Sequence, residues 1–251
     1  MELVVLGVGG GWARAGGAAC GYLARSDGYN LWIDAGTGTM ANLQRYVGLT
    51  DVDAVAVSHR HFDHFLDLYP YFLALRLDPE RSGKLPLFAP PGMFEHALQI
   101  ERDLTDVFDP HVVEPGEPFE AGPFRVGTTV MRHPVPTLGM RIEEDGRVLA
   151  YTADTGPCPE AVELARGADV LLSEATWLDV PDGMEPIHLT AAEAGQQAAR
   201  AEAAALVLTH IWPATDRQRV AQRAAASFDG PVSVAVEGMT LRPGGEEAPA
   251  G

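Results

Sequence analysis

Three of the eight histidines of this 251-residue chain fall within six residues, in the segment HRHFDH at residues 59–64. The segment follows the apolar run AVAV, which is typical of a buried strand, and it precedes a stretch with helical periodicity. His59 and His61 are two apart on extended chain, so their side chains point the same way. Asp63 and His64 follow at the turn into the helix. Four ligand-type groups are therefore predicted to converge in two adjacent pairs, as two neighbouring cations would require.

Three more side chains that can bind metal stand at the ends of predicted strands further along the chain. They are His133, Asp154 and His210. One such residue alone is more often a surface or supporting group, but three of them beside the segment 59–64 favour a site for two metals, in which one group bridges. Imidazole and carboxylate suit zinc, manganese or iron, and without a thiolate the sequence leaves the choice among these metals open.

Glu174 and His188 form a further pair of candidates. An acid at the end of an apolar strand and a histidine in a loop would each pass as ordinary surface groups. However, the sequence TAAE at residues 190–193 matches a capping box, which predicts that a helix begins at Thr190. His188 then lies two residues before a helix N-terminus, where backbone N–H groups and the helix dipole favour an anion such as phosphate.

Short apolar runs separated by turn residues must position these groups. Strands are predicted at residues 2–6, 21–25, 30–34, 54–57, 86–89, 124–131, 139–143, 148–152, 170–173, 205–208 and 232–236. Helices are predicted at residues 40–47, 64–77 (with a kink at Pro70), 92–102, 159–166, 191–203 and 216–227. The early strands come in hairpin-like groups, and the later strands alternate with helices. This mixture predicts two mixed sheets covered by helices.

The charge balance limits the partners that we expect. The chain has 35 acidic and 18 basic residues, for a net charge of −17. Nucleic-acid binding needs a basic surface that displaces counterions from phosphates, so a nucleic-acid partner is not expected. An anionic membrane surface is disfavoured for the same reason. No run approaches the roughly 18 apolar residues of a membrane span and no signal peptide is found, so we expect a cytoplasmic protein.

A glycine-rich segment, GVGGGW at residues 7–12, follows the first predicted strand. It departs from the dinucleotide-binding pattern because Trp12 occupies the position of the third glycine. No clear helix follows it either. We therefore interpret the segment as a flexible turn.

Together these motifs resemble the metallo-β-lactamase superfamily, and more closely its phosphodiesterase branch, typified by the ribonuclease Z family. The resemblance depends on the segment 59–64 followed in order by His133, Asp154 and His210, and it is supported by the motifs IDAG, HPVPTLG, YTADTG, SEAT and LTHI. It implies an α/β fold, a four-layer αββα sandwich of two mixed sheets with a di-metal site at their shared edge. Residues 1–242 would form this single metallohydrolase domain, and residues 243–251 are predicted to be a disordered tail.

The resemblance also implies a role for each site residue. One metal would be bound by His59, His61 and His133, and the other by Asp63, His64 and His210. Asp154 would bridge the two metals, Asp34 would orient a ligand, and Glu174 with His188 would relay a proton. The implied cofactors are two divalent metal ions, with zinc favoured and manganese or iron as alternatives. A homodimer is also implied.

The activity implied in this way is hydrolysis of a phosphodiester by a hydroxide that the two cations share, with Asp63 taking the proton of the attacking water. Members that process tRNA carry a protruding basic arm, whereas the segment between His133 and Asp154 has room for one hairpin only. Phe62 also stands where those enzymes usually have glycine. We therefore expect a small substrate such as a cyclic nucleotide. The alternatives are tRNA 3′-end cleavage of the ribonuclease Z type and hydrolysis of a thioester, lactone or β-lactam.

The fold implied by the resemblance places Phe62 and Trp12 near the mouth of the site, where either ring could stack on a nucleobase. His96 and His111 have no neighbours of chemical type in the sequence, and we interpret both as structural.

Overall fold

The computed structural model describes residues 1–79 and 82–245. Most of the predicted disordered tail, residues 246–251, lies outside these described residues. The strands are β1 (Glu2–Gly7), β2 (Gly21–Ser26), β3 (Tyr29–Ile33), β4 (Ala54–Ala56), β5 (Leu85–Ala89), β6 (Phe108–Val112), β7 (Phe119–Ala121), β8 (Phe124–Val130), β9 (Leu138–Glu144), β10 (Arg147–Tyr151), β11 (Val170–Glu174), β12 (Leu206–Thr209), β13 (Val232–Val234) and β14 (Thr240–Leu241).

Helices connect many of these strands. They are α1 (Thr39–Leu43), α2 (Phe62–Phe65), α3 (Leu68–Leu77), α4 (Met93–Ala97), α5 (Pro159–Leu164), α6 (Ala191–Arg200) and α7 (Arg217–Ala225), with 3₁₀ turns at Leu49–Asp51 and Arg102–Asp106. The predicted capping box opens α6: the Thr190 hydroxyl accepts a hydrogen bond from Glu193 N, and the Glu193 carboxylate accepts one from Thr190 N. Among the described residues, no helix has both the length and the apolar character that a membrane crossing requires.

The strands form two seven-stranded mixed sheets. The first has the order β14-β1-β2-β3-β4-β5-β6 and the second has the order β13-β12-β11-β10-β9-β8-β7. In the first sheet β1, β2 and β3 are antiparallel, and β3 to β6 run parallel. In the second sheet β7 to β10 are antiparallel, and β10 to β13 run parallel. Each sheet therefore has a hairpin half and a parallel half.

Three apolar clusters separate four layers. The cluster between the sheets includes Tyr22 from the first sheet and Tyr151 from the second. Another cluster joins the first sheet to its helices through Trp32 and Tyr71, and a third joins the second sheet to α5, α6 and α7 through residues such as Val220. Because strand side chains alternate, one strand can feed two of these clusters. The predicted four-layer αββα arrangement with two mixed sheets is confirmed.

Three strands were not predicted: β6, β7 and β14. The strand β6 contains Pro110, and its side chains after Phe108 are exposed, which is typical of an edge strand. The other two strands span only three and two residues. The hydrophobic alternation that predicts a strand is too short or too polar in all three cases.

The helix predicted over residues 64–77 is two helices, α2 and α3, separated at Leu66 and Asp67. Pro70 lies in the first turn of α3, where its missing N–H removes no helical hydrogen bond, so the predicted kink inside the helix is wrong. The carboxylate of Asp67 instead accepts a hydrogen bond from Met40 N at 2.8 Å. The break lets α2 turn separately at the end of β4.

Strand ends from both sheets lead into the loops that carry the candidate residues. Three residues just after β3, β10 and β12 have left-handed backbone: Asp34 (φ 54°), Ala153 (φ 52°) and His210 (φ 50°). A non-glycine residue costs roughly 1–2 kcal/mol in this conformation. Such strain persists only where surrounding contacts impose it, and it concentrates at functional sites.

A close approach at Gly36 fixes the loop of segment 59–64 against the first sheet. A Cβ at Gly36 would overlap Asp63 O and lie 2.5 Å from Cys20 O. The neighbouring backbone already links the same segments, because Ala35 N donates to His64 O at 2.6 Å and Cys20 N donates to Asp63 O at 3.1 Å. Only a residue without a side chain fits at this crossing.

We predict that Gly36→Ala destabilises the fold by about 1–3 kcal/mol, because the added methyl must displace backbone atoms. The measurement is urea unfolding followed by circular dichroism. Gly127→Ala is the matched control, since a Cβ there would meet Arg141 Cβ at an ordinary 3.8 Å. Equal unfolding midpoints for the two variants would show that the crossing tolerates a side chain.

Candidate metal centre

Four of the predicted ligands form one group. His61 Nδ1 lies 3.0 Å from His59 Nε2 and 3.0 Å from His133 Nε2. Asp154 Oδ2 completes the group, 3.6 Å from His59 Nε2 and 3.8 Å from His133 Nε2. The residues come from the loop after β4, the loop after β8 and the loop after β10. Three nitrogens and one carboxylate oxygen thus face a common point.

The remaining predicted ligands form a second group beside the first. His210 Nε2 lies 3.2 Å from His64 Nε2 and 3.2 Å from Asp63 Oδ2, and the last two atoms are 3.5 Å apart. Asp63 and His64 come from α2, and His210 directly follows β12. All three are buried. The structure therefore brings together all seven residues that the sequence pattern singled out as ligands.

Asp154 stands between the two groups. Its Oδ2 faces the first group, and its Oδ1 lies 3.3 Å from His64 Nε2 and 3.2 Å from His210 Nε2. This Oδ1 is buried and has no hydrogen-bond donor. A buried carboxylate oxygen without a partner is costly, and a cation would remove that cost.

The donor atoms fit a pair of cations. In a tetrahedral zinc site with ligands at roughly 2.0–2.1 Å, neighbouring ligand atoms lie about 3.3 Å apart. The separations of 3.0–3.8 Å in the first group and 3.2–3.5 Å in the second surround that value. Asp154 could serve both cations, because each of its oxygens faces a different group.

A buried carboxylate sets the orientation of His64. Asp34 Oδ2 lies 2.8 Å from His64 Nδ1, so Nδ1–H donates to it and Nε2 is directed at the second group. Asp34 also accepts from Ser58 N, from the Ser58 hydroxyl and from the Tyr151 hydroxyl, at 2.7–2.8 Å. The Ser58 oxygen in turn accepts from His59 Nδ1 at 3.0 Å. One carboxylate thereby orients two histidines.

Two further histidines are fixed in the same way. His133 Nδ1 donates to the Ile187 carbonyl at 3.2 Å, and His210 Nδ1 lies 2.9 Å from the Thr176 hydroxyl. Each contact leaves Nε2 directed at the ligand groups.

The sequence reasoning assigned no such role to Ser58, Tyr151 or Thr176. Only Ser58 had a local signal, because it directly precedes His59.

Burial and charge set protonation states suited to metal binding. Burial, aided by His64, holds the pKa of His59 well below its ordinary value, and burial lowers the pKa of His61 to about 4. Burial opposes ionisation of Asp154, but the facing His210, His64 and His59 rings bring its pKa well below the usual range. Neutral imidazole and ionised carboxylate are the forms that bind metal.

His64 shows the electrostatic imbalance of the second group. Burial by itself lowers the pKa of His64, yet Asp154, Asp63 and Asp34 together raise that pKa well above its ordinary value. The carboxylates therefore create a strongly negative field at this point. A divalent cation among the same atoms would offset that field.

Glu174 and His188 lie beside the two groups. Glu174 is completely buried, and its Oε1 lies 3.0 Å from His188 Nδ1. The same carboxylate accepts hydrogen bonds from Thr155 N, Leu189 N and the Thr176 hydroxyl, which fix its position. Burial acts to lower the pKa of His188, but the neighbouring Glu174 carboxylate raises this pKa to about 9. His188 Nδ1 is 4.0 Å from Asp154 Oδ2, so the pair borders the candidate metal centre.

The glycine-rich segment 7–12 forms a bend, as the interpretation as a turn predicts, and this bend lies against the second group, a contact that the sequence did not predict. Gly11 N donates to Asp63 Oδ2 at 2.7 Å. A Cβ at Gly10 would lie 2.7 Å from His210 O and 2.9 Å from His210 Nδ1. The glycines allow the backbone to approach the site closely. Comparison with the dinucleotide-binding pattern, which the segment does not match, does not predict this role.

Two mixed sheets with a His/Asp cluster at their shared edge define the metallo-β-lactamase fold class. A family model described as the beta-lactamase superfamily domain matches residues 29–211, and the chain belongs to this superfamily. The predicted resemblance and fold class are thus confirmed.

Individual relatives match nearly the whole chain. An uncharacterized protein of Mycobacterium leprae is 39% identical, covering 96% of this chain and 88% of that protein. The probable metallo-hydrolase YhfI of Bacillus subtilis is 31% identical (95% and 98% covered), and its crystal structure superposes with a TM-score of 0.89 at 29% identity (96% and 99% covered). A ribonuclease Z of Methanopyrus kandleri is 31% identical, covering 96% of this chain and 98% of that protein.

We expect about two divalent ions per chain in the metal-loaded protein, measured by inductively coupled plasma mass spectrometry after dialysis. Asp154→Ala should reduce the bound metal at both positions, because Asp154 faces both groups. Asp109→Ala is the control, since that exposed carboxylate pairs with His111 at 3.2 Å and belongs to neither ligand group. Unchanged metal content in Asp154→Ala would contradict a bridging role.

Proposed function

We propose that this protein is a two-metal phosphodiesterase that cleaves a small diester such as a cyclic nucleotide. The observation that carries the proposal is the Glu174–His188 pair beside seven grouped His and Asp ligands, because the pair can protonate a leaving alkoxide. The coarser class, a metal-dependent hydrolase, is supported by the relatives named metallo-hydrolase and ribonuclease Z. The finer substrate assignment is our proposal.

In this proposal each metal has its own ligands. His59, His61 and His133 would bind one cation, and Asp63, His64 and His210 would bind the other, with Asp154 between them. When bound, two cations lower the pKa of water towards neutrality and offset the charge of the phosphate. We propose zinc as the metal, with manganese or iron as alternatives, since imidazole and carboxylate donors suit all three.

Asp63 would accept the proton of the attacking water. Its Oδ2 is held by Gly11 N at 2.7 Å and faces His210 Nε2 at 3.2 Å. Burial acts to raise the pKa of this carboxyl, but His64 and His210 bring the pKa well below its ordinary value. The carboxylate is therefore ionised and fixed in place before substrate arrives.

His188 would deliver the proton to the leaving oxygen. Glu174 holds Nδ1, so Nε2 is the nitrogen that remains for the substrate. With a pKa of about 9 the ring carries its proton at neutral pH. The His188 side chain is 16% exposed, whereas Glu174 is fully buried, so the histidine alone can reach a bound diester. This is the arrangement of a general acid oriented by a buried carboxylate.

Several features favour a small substrate over a long polyanion. Between His133 and Asp154 the chain forms only the hairpin of β9 and β10, joined at Asp145 and Gly146, with no inserted arm. The net charge of −17 repels an extended phosphate backbone. The ribonuclease Z relative at 31% identity keeps tRNA 3′-end cleavage as the second candidate.

A substrate panel tests the proposal with metal-loaded protein. We expect hydrolysis of cyclic mononucleotides and of bis(p-nitrophenyl) phosphate, and no turnover of nitrocefin. Asp63→Ala should reduce kcat/KM about 10²–10⁴-fold or more, because proton transfer and a ligand are lost together. Asp103→Ala, an exposed carboxylate paired with Arg76, is the control. Cleavage of precursor tRNA at low enzyme concentration without cyclic-nucleotide hydrolysis would reverse our order of the two candidates.

The leaving group distinguishes the role of His188. His188→Ala should reduce kcat about 10²–10⁴-fold for a ribose leaving group and much less for p-nitrophenolate, which leaves without a proton. Paired assays of a cyclic nucleotide and bis(p-nitrophenyl) phosphate measure the difference. Glu174→Gln should show the same selectivity with a smaller loss. Equal losses on both substrates would rule out protonation of the leaving group.

A further inference from the structure

A cavity of about 190 Å³ opens beside the first ligand group. It is lined by Arg60, His61, Phe62, His96 and Val135. His61 belongs to the cavity and to the ligand group at once, because its Nδ1 lies 3.0 Å from His59 Nε2. A molecule held at the ligand groups could therefore extend past His61 into this cavity.

Phe62 forms one wall of the cavity. It is 57% exposed, although its neighbour Asp63 is buried among the candidate ligands. His96 supports the ring in a nearly parallel arrangement, with an interplanar angle of 24° and ring centres 6.2 Å apart. A second contact, to the buried Phe65, also has ring centres 6.2 Å apart. The two contacts fix an aromatic surface at the mouth of the site, which is the arrangement that stacks a planar ligand.

The remaining lining adds polar groups to this aromatic wall. His96 and Arg60 both offer hydrogen-bonding groups at the rim of the cavity. The volume of about 190 Å³ is below the roughly 300–1,000 Å³ of pockets for drug-sized ligands, so it suits a single planar ring system. An uncharged base would also avoid the repulsion that the acidic surface imposes on phosphates.

We propose that this cavity binds the nucleobase of the substrate, with the base stacked on Phe62 and the phosphate at the ligand groups. The inference rests on the proposed function and specifies its substrate class as nucleotides. Phe62 and His96 are then specificity residues, and the interpretation of His96 as merely structural is replaced. Phe62 would raise affinity for substrates that carry a base and leave the chemistry to other residues.

Trp12 is the competing aromatic residue at the mouth, and the geometry favours Phe62 over it. Trp12 is 48% exposed, but its ring meets Trp212 edge-on, with ring centres 4.4 Å apart at 75°. The cavity of about 190 Å³ and the nearly parallel supporting ring of His96 both occur on the Phe62 side.

Calorimetric binding to the metal-loaded protein tests the proposal, with adenosine 5′-monophosphate and ribose 5-phosphate as probes. The nucleotide should bind about 5- to 150-fold more tightly, the range that base–aromatic stacking provides. Phe62→Leu should remove most of this advantage, whereas Phe62→Trp should retain it. Trp12→Leu should also retain it. In kinetics, Phe62→Leu should raise KM for a cyclic nucleotide about 5-fold or more, with kcat little changed.

Two outcomes would overturn the base site. One is an unchanged nucleotide advantage in Phe62→Leu, and the other is loss of the advantage in Trp12→Leu alone. Assays of bis(p-nitrophenyl) phosphate separate this result from the proposed function. Hydrolysis of that diester with equal binding of nucleotide and ribose 5-phosphate would reject the base site and keep the phosphodiesterase. A protein that hydrolyses no phosphodiester would reject the proposed function itself.

Discussion

The structure of the site depends on one buried carboxylate, that of Asp154, which lies between two sets of imidazole rings. Its Oδ2 faces His59 and His133, and its Oδ1 faces His64 and His210 without a hydrogen-bond donor of its own. An ionised group in this position is tolerated only when opposite charge compensates its lost hydration. The surrounding loops, hydrogen bonds and charges hold that carboxylate among the imidazole rings.

Two other buried carboxylates orient the histidine rings of the site. Asp34 orients His64 and, through Ser58, His59, while Glu174 orients His188 and accepts the Thr176 hydroxyl that also contacts His210. Each of these carboxylates accepts four hydrogen bonds, which fix its position. The site thus separates carboxylates that face the ligand groups from carboxylates that fix the rings around them. Under the proposed function, this separation would let the Glu174–His188 pair act beside the bound metals.

The candidate metal ligands could be predicted from the sequence because they are histidines and aspartates, and because they lie at the ends of predicted strands. The segment 59–64 is local, and His133, Asp154 and His210 each follow an apolar run, so pattern and topology suffice to bring them together. The supporting hydroxyls of Ser58, Tyr151 and Thr176 were missed because a single hydroxyl has no spacing that distinguishes it from many others. Short edge strands such as β6 were missed because Pro110 and exposed polar side chains remove the alternation that indicates a strand. The position of the glycine-rich segment 7–12 beside the site was not predicted because its close packing against His210 is a tertiary contact.

The left-handed backbone at Asp34, Ala153 and His210 links the stability of the fold to the composition of the site. At two of these positions glycine would relieve the strain, but it would delete a carboxylate or an imidazole that the site uses. Ala153 alone could become glycine without losing a functional group, and it would then gain backbone freedom next to Asp154. A glycine at position 153 would exchange backbone strain in the folded chain for backbone freedom at the site, so fold stability and site rigidity change in opposite directions at this one residue.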